Sequence, residues 1–127
     1  MATREITLDN LEPTIAANDI VLLDFWAAWC GPCRAFAPVF ETASQTHPDV
    51  VFGKVDTEAQ QQLAAGFQIT SIPTLMAFRE NILVFAQPGA LAAPQLEQVI
   101  AAVRGLDMNE VRAQIAAQQQ SEQGASR

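Results

Sequence analysis

The sequence predicts an α/β fold, a central mixed five-stranded sheet flanked by four helices, and three observations carry that prediction. Apolar strand-like runs alternate with segments of helical periodicity, the pattern of parallel strands joined by helices. The last two strand-like runs break that rhythm by following each other directly. The chain has 127 residues, half of them hydrophobic, enough for one domain with a real core and too few for two ordinary ones.

The elements follow in order. A first strand is expected near Arg4–Thr7, and in "LDNLEPTIA" Leu8, Leu11 and Ile15 stand at helical spacing, with Pro13 blurring that helix's boundary. Ile20–Trp26, in which only Asp24 is polar, reads as a central strand buried on both faces. From Pro32 onward Cys33, Phe36, Ala37, Phe40 and Ala43 form a helical stripe. Pro32 suits a first turn, whereas Pro38 removes the donor to the Arg34 carbonyl and is expected to kink the helix. Val50–Asp56 is a further buried strand, and Thr57 with Gln60 forms a capping-box pattern opening a short helix that Gly66 can end. "TLMAFR" and "ILVFAQ" are joined only by Glu80 and Asn81, which predicts an antiparallel hairpin with Asn81 at positive φ. Pro94 opens the last core helix, Leu96, Val99, Ile100 and Val103 form its stripe, and Gly105 ends it.

The domain is accordingly drawn as residues 1–106. Residues 107–127 form a short C-terminal helical extension, in which Asp107 and Glu110 cap a turn or two carrying Met108, Val111 and Ile115. Beyond them "AAQQQSEQGASR" is polar and low in complexity, and is expected to be disordered.

Composition narrows the function. Seven Lys and Arg against fourteen Asp and Glu give a net charge of -7, which repels nucleic acid at long range. "MATREITLDN" has no basic stretch followed by an apolar one, and no run approaches the roughly 18 apolar residues of a membrane span. The chain is therefore expected to be cytoplasmic, with no membrane and no nucleic-acid partner.

The chemistry points to the two cysteines. "WCGPC" lies where a strand hands over to a helix, the end of an open α/β sheet at which ligands collect. A disulfide closing so short a loop contributes little stability, so a pair that opens and closes suits exchange better than stapling. Cys30 precedes the helix, whose unpaired N–H groups favour a thiolate, and is the candidate nucleophile. Cys33, one turn inside on the buried stripe, is the candidate resolving thiol, expected to be more shielded than Cys30. A shielded thiol must lose its proton before it attacks, and Asp24, an acid buried at a cost of several kcal/mol, is the candidate acceptor.

Five blocks then carry a resemblance: "DFWA" at Asp24–Ala27, "WCGPC" at Trp29–Cys33, "FGKVD" at Phe52–Asp56, "SIPT" at Ser71–Thr74 and "PGAL" at Pro88–Leu91. In identity, order and approximate spacing the chain resembles the thioredoxin family over roughly residues 5 to 105. The resemblance implies the thioredoxin fold and a general protein dithiol-disulfide oxidoreductase that reduces partner disulfides through a mixed disulfide. It implies Asp24 beneath Cys33, with Lys54 nearby on the adjacent strand as a further catalytic candidate. It implies a cis Ile72-Pro73 bond that sets Pro73 against the cysteines and lets the Ile72 backbone pair with a bound segment. Trp29, Gly31, Pro32, Gly89 and Ala90 complete the implied docking surface. No cofactor is expected on this chain; electrons are expected from NADPH through a flavoprotein thioredoxin reductase, which with disulfide-containing protein substrates makes up the expected partners of a monomer. Glu80-Asn81 stands where the family often has Asn-Gly, and residues 107–127 exceed its usual length.

Rival readings are specific. Asp24 competes with a structural acid hydrogen-bonded at a strand end, and Lys54 with a lysine that simply snorkels to water. Trp26 is expected in the core, with Phe67 and Ile69; His47 is expected to be an exposed loop residue. Two cysteines fall short of the four ligands of a structural zinc site, so no metal is expected. The alternative function is a docking subunit or co-chaperone in which redox activity is secondary.

Overall fold

The structure, a computed structural model, describes residues 2–125. In chain order the elements are β1 (Thr3–Glu5), α1 (Leu11–Ala17), β2 (Ile20–Trp26), α2 (Gly31–Thr46), β3 (Val51–Asp56), α3 (Gln61–Gly66), β4 (Thr74–Arg79), β5 (Ile82–Pro88), α4 (Ala93–Arg104) and α5 (Met108–Ala125). The sheet runs β1-β3-β2-β4-β5. β3 is parallel to both β1 and β2, while β4 is antiparallel to β2 and to β5. The five strands therefore form the mixed sheet that the sequence predicts.

β2 lies at the centre because, Asp24 apart, both of its faces are apolar. Ile20 and Leu22 pack with Phe36, Phe40, Phe52 and Ile100 on one side, and Val21, Leu23 and Phe25 with Val51, Val55 and Met76 on the other. Strand residues alternate between faces, so Asp24 shares the side of Ile20 and Leu22, the side that α2 and α4 cover. Gly53 permits the tightest approach on the opposite side, where a Cβ would stand 2.5 Å from the buried Ile6 side chain. The Glu80-Asn81 turn has positive φ at both residues, 50° and 68°, as a two-residue hairpin requires.

Three expectations change. Leu8 leaves the first helix and is exposed, because Asn10 accepts a hydrogen bond from the Thr7 N–H at 2.7 Å and starts the helix later. The Thr57–Gln60 capping box does not form: the Thr57 hydroxyl donates to the Trp26 carbonyl at 3.0 Å, and Asp56 takes the N–H groups of Glu58 and Ala59. That turn delays α3 to Gln61.

The C-terminal extension is the third change. α5 is one helix of 18 residues, far longer than the expected turn or two, and it runs through most of the segment drawn as disordered; residues 126–127 lie outside the described residues. Asp107 caps it by accepting from the N–H groups of Asn109 and Glu110 at 3.0 and 3.2 Å. Its Ala, Gln and Glu residues are good helix formers, a local preference that polarity alone does not reveal. Met108 is buried, with Val111 and Ile115 half-buried.

No helix among the described residues is long and apolar enough to cross a membrane.

Candidate functional site

β2 ends at Trp26 and α2 starts at Gly31, and the link between them delivers both cysteines to one helix N-terminus. Cys30 is the N-cap residue of α2, and its Sγ accepts the Cys33 N–H at 3.2 Å. Gly31 and Pro32 fill the first two helical positions and are exposed, Pro32 lacking only a donor that the first turn leaves unpaired anyway. Cys30 and Cys33 are joined as a disulfide, with Cα atoms 5.2 Å apart.

The expected contrast in shielding is corrected here. Cys30 is 4% exposed and Cys33 3%, so accessibility of the whole residue does not distinguish them in the disulfide form. The N-cap position does. Helix geometry aims unpaired N–H groups at the capping sulfur, and only Cys30 receives them.

Two further loops meet this N-terminus. Cys30 Sγ lies 3.7 Å from the Ile72 carbonyl oxygen, and the half-buried Ile72 packs against the cluster of Ala27, Cys30 and Cys33. The Ile72-Pro73 peptide is cis. The Pro73 carbonyl accepts the Gly89 N–H at 2.8 Å, tying the loop after β5 to the loop before β4. Gly89 has φ of +104°, a conformation open to glycine and rarely to other residues. Trp29, 67% exposed, and Ala90 leave their surfaces open beside these loops.

The Trp29 indole is held in place. Its N–H donates to Glu58 at 2.6 Å, across from the turn that follows β3. Sequence reasoning missed Glu58, because nothing in "TEAQ" distinguishes it from any other surface acid.

Within β2 Asp24 is fully buried, and neither carboxyl oxygen has a hydrogen-bond partner among the described residues. Desolvation pushes its carboxyl from an ordinary value of 3.8 up to about 7, with the smaller effect of the Lys54 charge pulling the other way. Lys54 is its direct neighbour on β3, yet the Lys54 ammonium stands 4.8 Å above the Trp26 ring rather than on the carboxylate. Asp24 is thus no hydrogen-bonded strand-end acid. It lies on the sheet face that α2 covers, the same helix whose buried stripe begins with Cys33.

His47 is not the exposed loop residue expected. It ends α2 half-buried, with Nε2 2.8 Å from Glu97 and Nδ1 3.0 Å from the Arg104 guanidinium. A guanidinium can only donate, so Nδ1 accepts and the ring proton sits on Nε2. Arg104 also makes a two-pronged pair with Asp49 at 2.6 and 3.0 Å. This network joins α2 to α4 away from the cysteines. Among the described residues, no group of three or more His, Cys, Asp or Glu is arranged to hold a metal ion.

A dithiol pair at a helix N-terminus, a buried acid poised near neutrality and a rim of exposed backbone loops suit thiol-disulfide exchange. Comparison with known proteins agrees. The Thioredoxin family model matches residues 2–102. A Streptomyces coelicolor protein assigned as thioredoxin 2 is 57% identical over 118 residues, covering 93% of this chain and 88% of the relative. Among solved structures, a mutant thioredoxin from Halobacterium salinarum NRC-1 superposes with a TM-score of 0.77 at 30% identity, covering 84% of this chain and 95% of the other. Spinach chloroplast thioredoxin f gives 0.75 at 34% identity, covering 81% and 94%.

Proposed function

The chain belongs to the thioredoxin family and is a protein dithiol-disulfide oxidoreductase, and from that premise we propose which residues carry the exchange. The observation behind the proposal is the Cys30–Cys33 disulfide closed across the first turn of α2.

In the reduced protein the Cys30 thiolate attacks one sulfur of a partner disulfide. A Cys30–partner bond forms, and the partner's other sulfur leaves as a thiolate. Cys33, having passed its proton to Asp24, then attacks Cys30 Sγ. The Cys30–Cys33 bond closes, the partner's second thiolate departs, and two electrons have moved from this chain to the partner. An acid with a pKa of about 7 suits the middle step, since it can take a proton near neutral pH and give it up again. Lys54 acts on Asp24 through its charge and not by contact. Trp29, Gly31, Pro32, Ile72, Pro73, Gly89 and Ala90 form the surface on which the partner segment lies, with the Ile72 backbone pairing to it as an added strand.

A flavoprotein reductase drawing on NADPH returns the electrons, and the protein works in the cytoplasm as a monomer. Residues 1–106 form the redox domain and residues 107–127 an extension of it.

Capture tests the division of labour between the thiols. Cys33→Ser should hold partners as stable mixed disulfides through Cys30, visible by mass spectrometry, while Cys30→Ser captures very few and both variants lose catalytic turnover with insulin. Capture through residue 33 instead would reverse the assignment.

A further inference from the structure

A sheet of this kind has two edges, and they are protected differently. β1, at one edge, spans only three residues and offers little backbone to another chain. β5, at the other, is a seven-residue strand whose segment "ILVFAQ" carries no charge. An uncharged outer strand of β-prone residues is a template for pairing with its own kind, because each added strand satisfies a row of open backbone groups. Leu83 on this strand is 44% exposed.

The first turns of α5 come near the start of this strand. Ile82, Leu83 and Val84 of β5 line one continuous space with Leu106, Val111 and Ile115. Ile82 stands opposite Arg79 and Leu83 opposite Phe78, so the two point to different faces of the sheet. A space that both of them line borders both faces of the sheet where β5 begins. One buried side chain and two contacts hold the start of α5 by the hairpin. Met108 is buried. Arg79 Nη1 reaches the carbonyl oxygens of Val103, Arg104 and Leu106 at 2.8, 3.0 and 2.8 Å, fixing the turn between α4 and α5. Arg112, one turn into α5, pairs with Glu80 of the hairpin from which β5 departs.

We propose that α5 is an edge guard: its first turns occupy the outer side of β5 and keep that edge from pairing, antiparallel, with β5 of a second copy of this chain. The second copy is the favoured intruder because its edge is the same uncharged sequence, so the net charge of -7 brings no like charges together along the strands themselves. This role is independent of the cysteines, which lie at the far end of β2 and the start of α2.

The test uses the full-length chain. Val111→Glu combined with Ile115→Glu replaces the apolar stripe of α5 with charge while leaving good helix formers in place. The wild type should sediment as a monomer across a wide concentration range. The double variant should shift with concentration towards twice the mass, with insulin reduction per chain unchanged as evidence that it is folded. Adding Leu83→Lys, a charge on the exposed strand, should restore the monomer. A double variant that stays monomeric throughout, or one whose association survives Leu83→Lys, overturns the proposal.

Discussion

Asp24 in β2 and Asp49 beyond the end of α2 carry the same carboxyl group, and the fold moves them in opposite directions. Asp24 is buried without a partner and rises to about 7. Asp49 is exposed, and the hydrogen-bonded Arg104 guanidinium holds it down at about 2. The difference separates a carboxyl kept ready for a proton from one locked into its charged form. An acid in a surface pair adds a modest tie between elements; a buried, unpaired acid weakens the fold at neutral pH, and such weakness concentrates where chemistry needs it.

The two also act on stability at different pH. The unfolded chain ionises Asp24 near 3.8 and the folded chain only near 7. Below about pH 4 the acid is neutral in both states and carries no penalty; as pH climbs to 7 the unfolded state ionises first, and stability falls. For Asp49 the folded value lies below the unfolded one, so its contribution is present above about pH 4 and is lost as pH falls towards 2.

The largest expected effect is at Asp24. Asp24→Asn should raise stability at pH 7 by about 2–4 kcal/mol, at roughly 1.4 kcal/mol per tenfold change in ionisation, and the gain should vanish near pH 4. Release of partners from the mixed disulfide should slow near pH 7 and recover partly at higher pH, where the Cys33 thiol ionises unaided. Urea melts at the two pH values, paired with single-turnover rates, measure both. A variant that is less stable at pH 7 and equally fast would make Asp24 a structural residue and erase the contrast with Asp49.

A smaller effect is expected at Lys54. Lys54→Met removes the charge that partly offsets desolvation, so Asp24 should titrate higher still, read from its carboxyl carbon by NMR. A downward move would mean that the lysine acts by shaping the strand and not by its charge. Asp49→Asn should have the smallest effect: a slight loss of stability at pH 7 that disappears by pH 2 and shrinks in high salt. The Asp24 effect, rooted in burial, should persist in the same salt. Equal salt sensitivity at both positions would break the comparison.

Much of the architecture was legible because it is written in short-range patterns. The apolar run around Asp24, the stripe from Cys33 to Ala43, the Glu80-Asn81 turn and the Gly105 stop each depend on neighbours within a few residues, and the structure has them at those places. The placement of Ile72 beside Cys30 was legible only through likeness to other sequences, since no local pattern links positions so far apart.

By itself, then, the sequence determined the order of strands and helices, a buried acid in the strand that precedes a cysteine pair at a helix N-terminus, and the sign of the Asp24 shift, because periodicity and burial are properties of a segment. Tertiary structure alone decided the rest. It brought Glu58 to the Trp29 indole, turned Lys54 onto Trp26, closed His47 between Glu97 and Arg104, buried both cysteines alike, and set Val111 and Ile115 of α5 around one space with the first residues of β5. Each of these pairs residues far apart in the chain, and a segment's own pattern states that it has a face to cover without stating which distant surface will cover it.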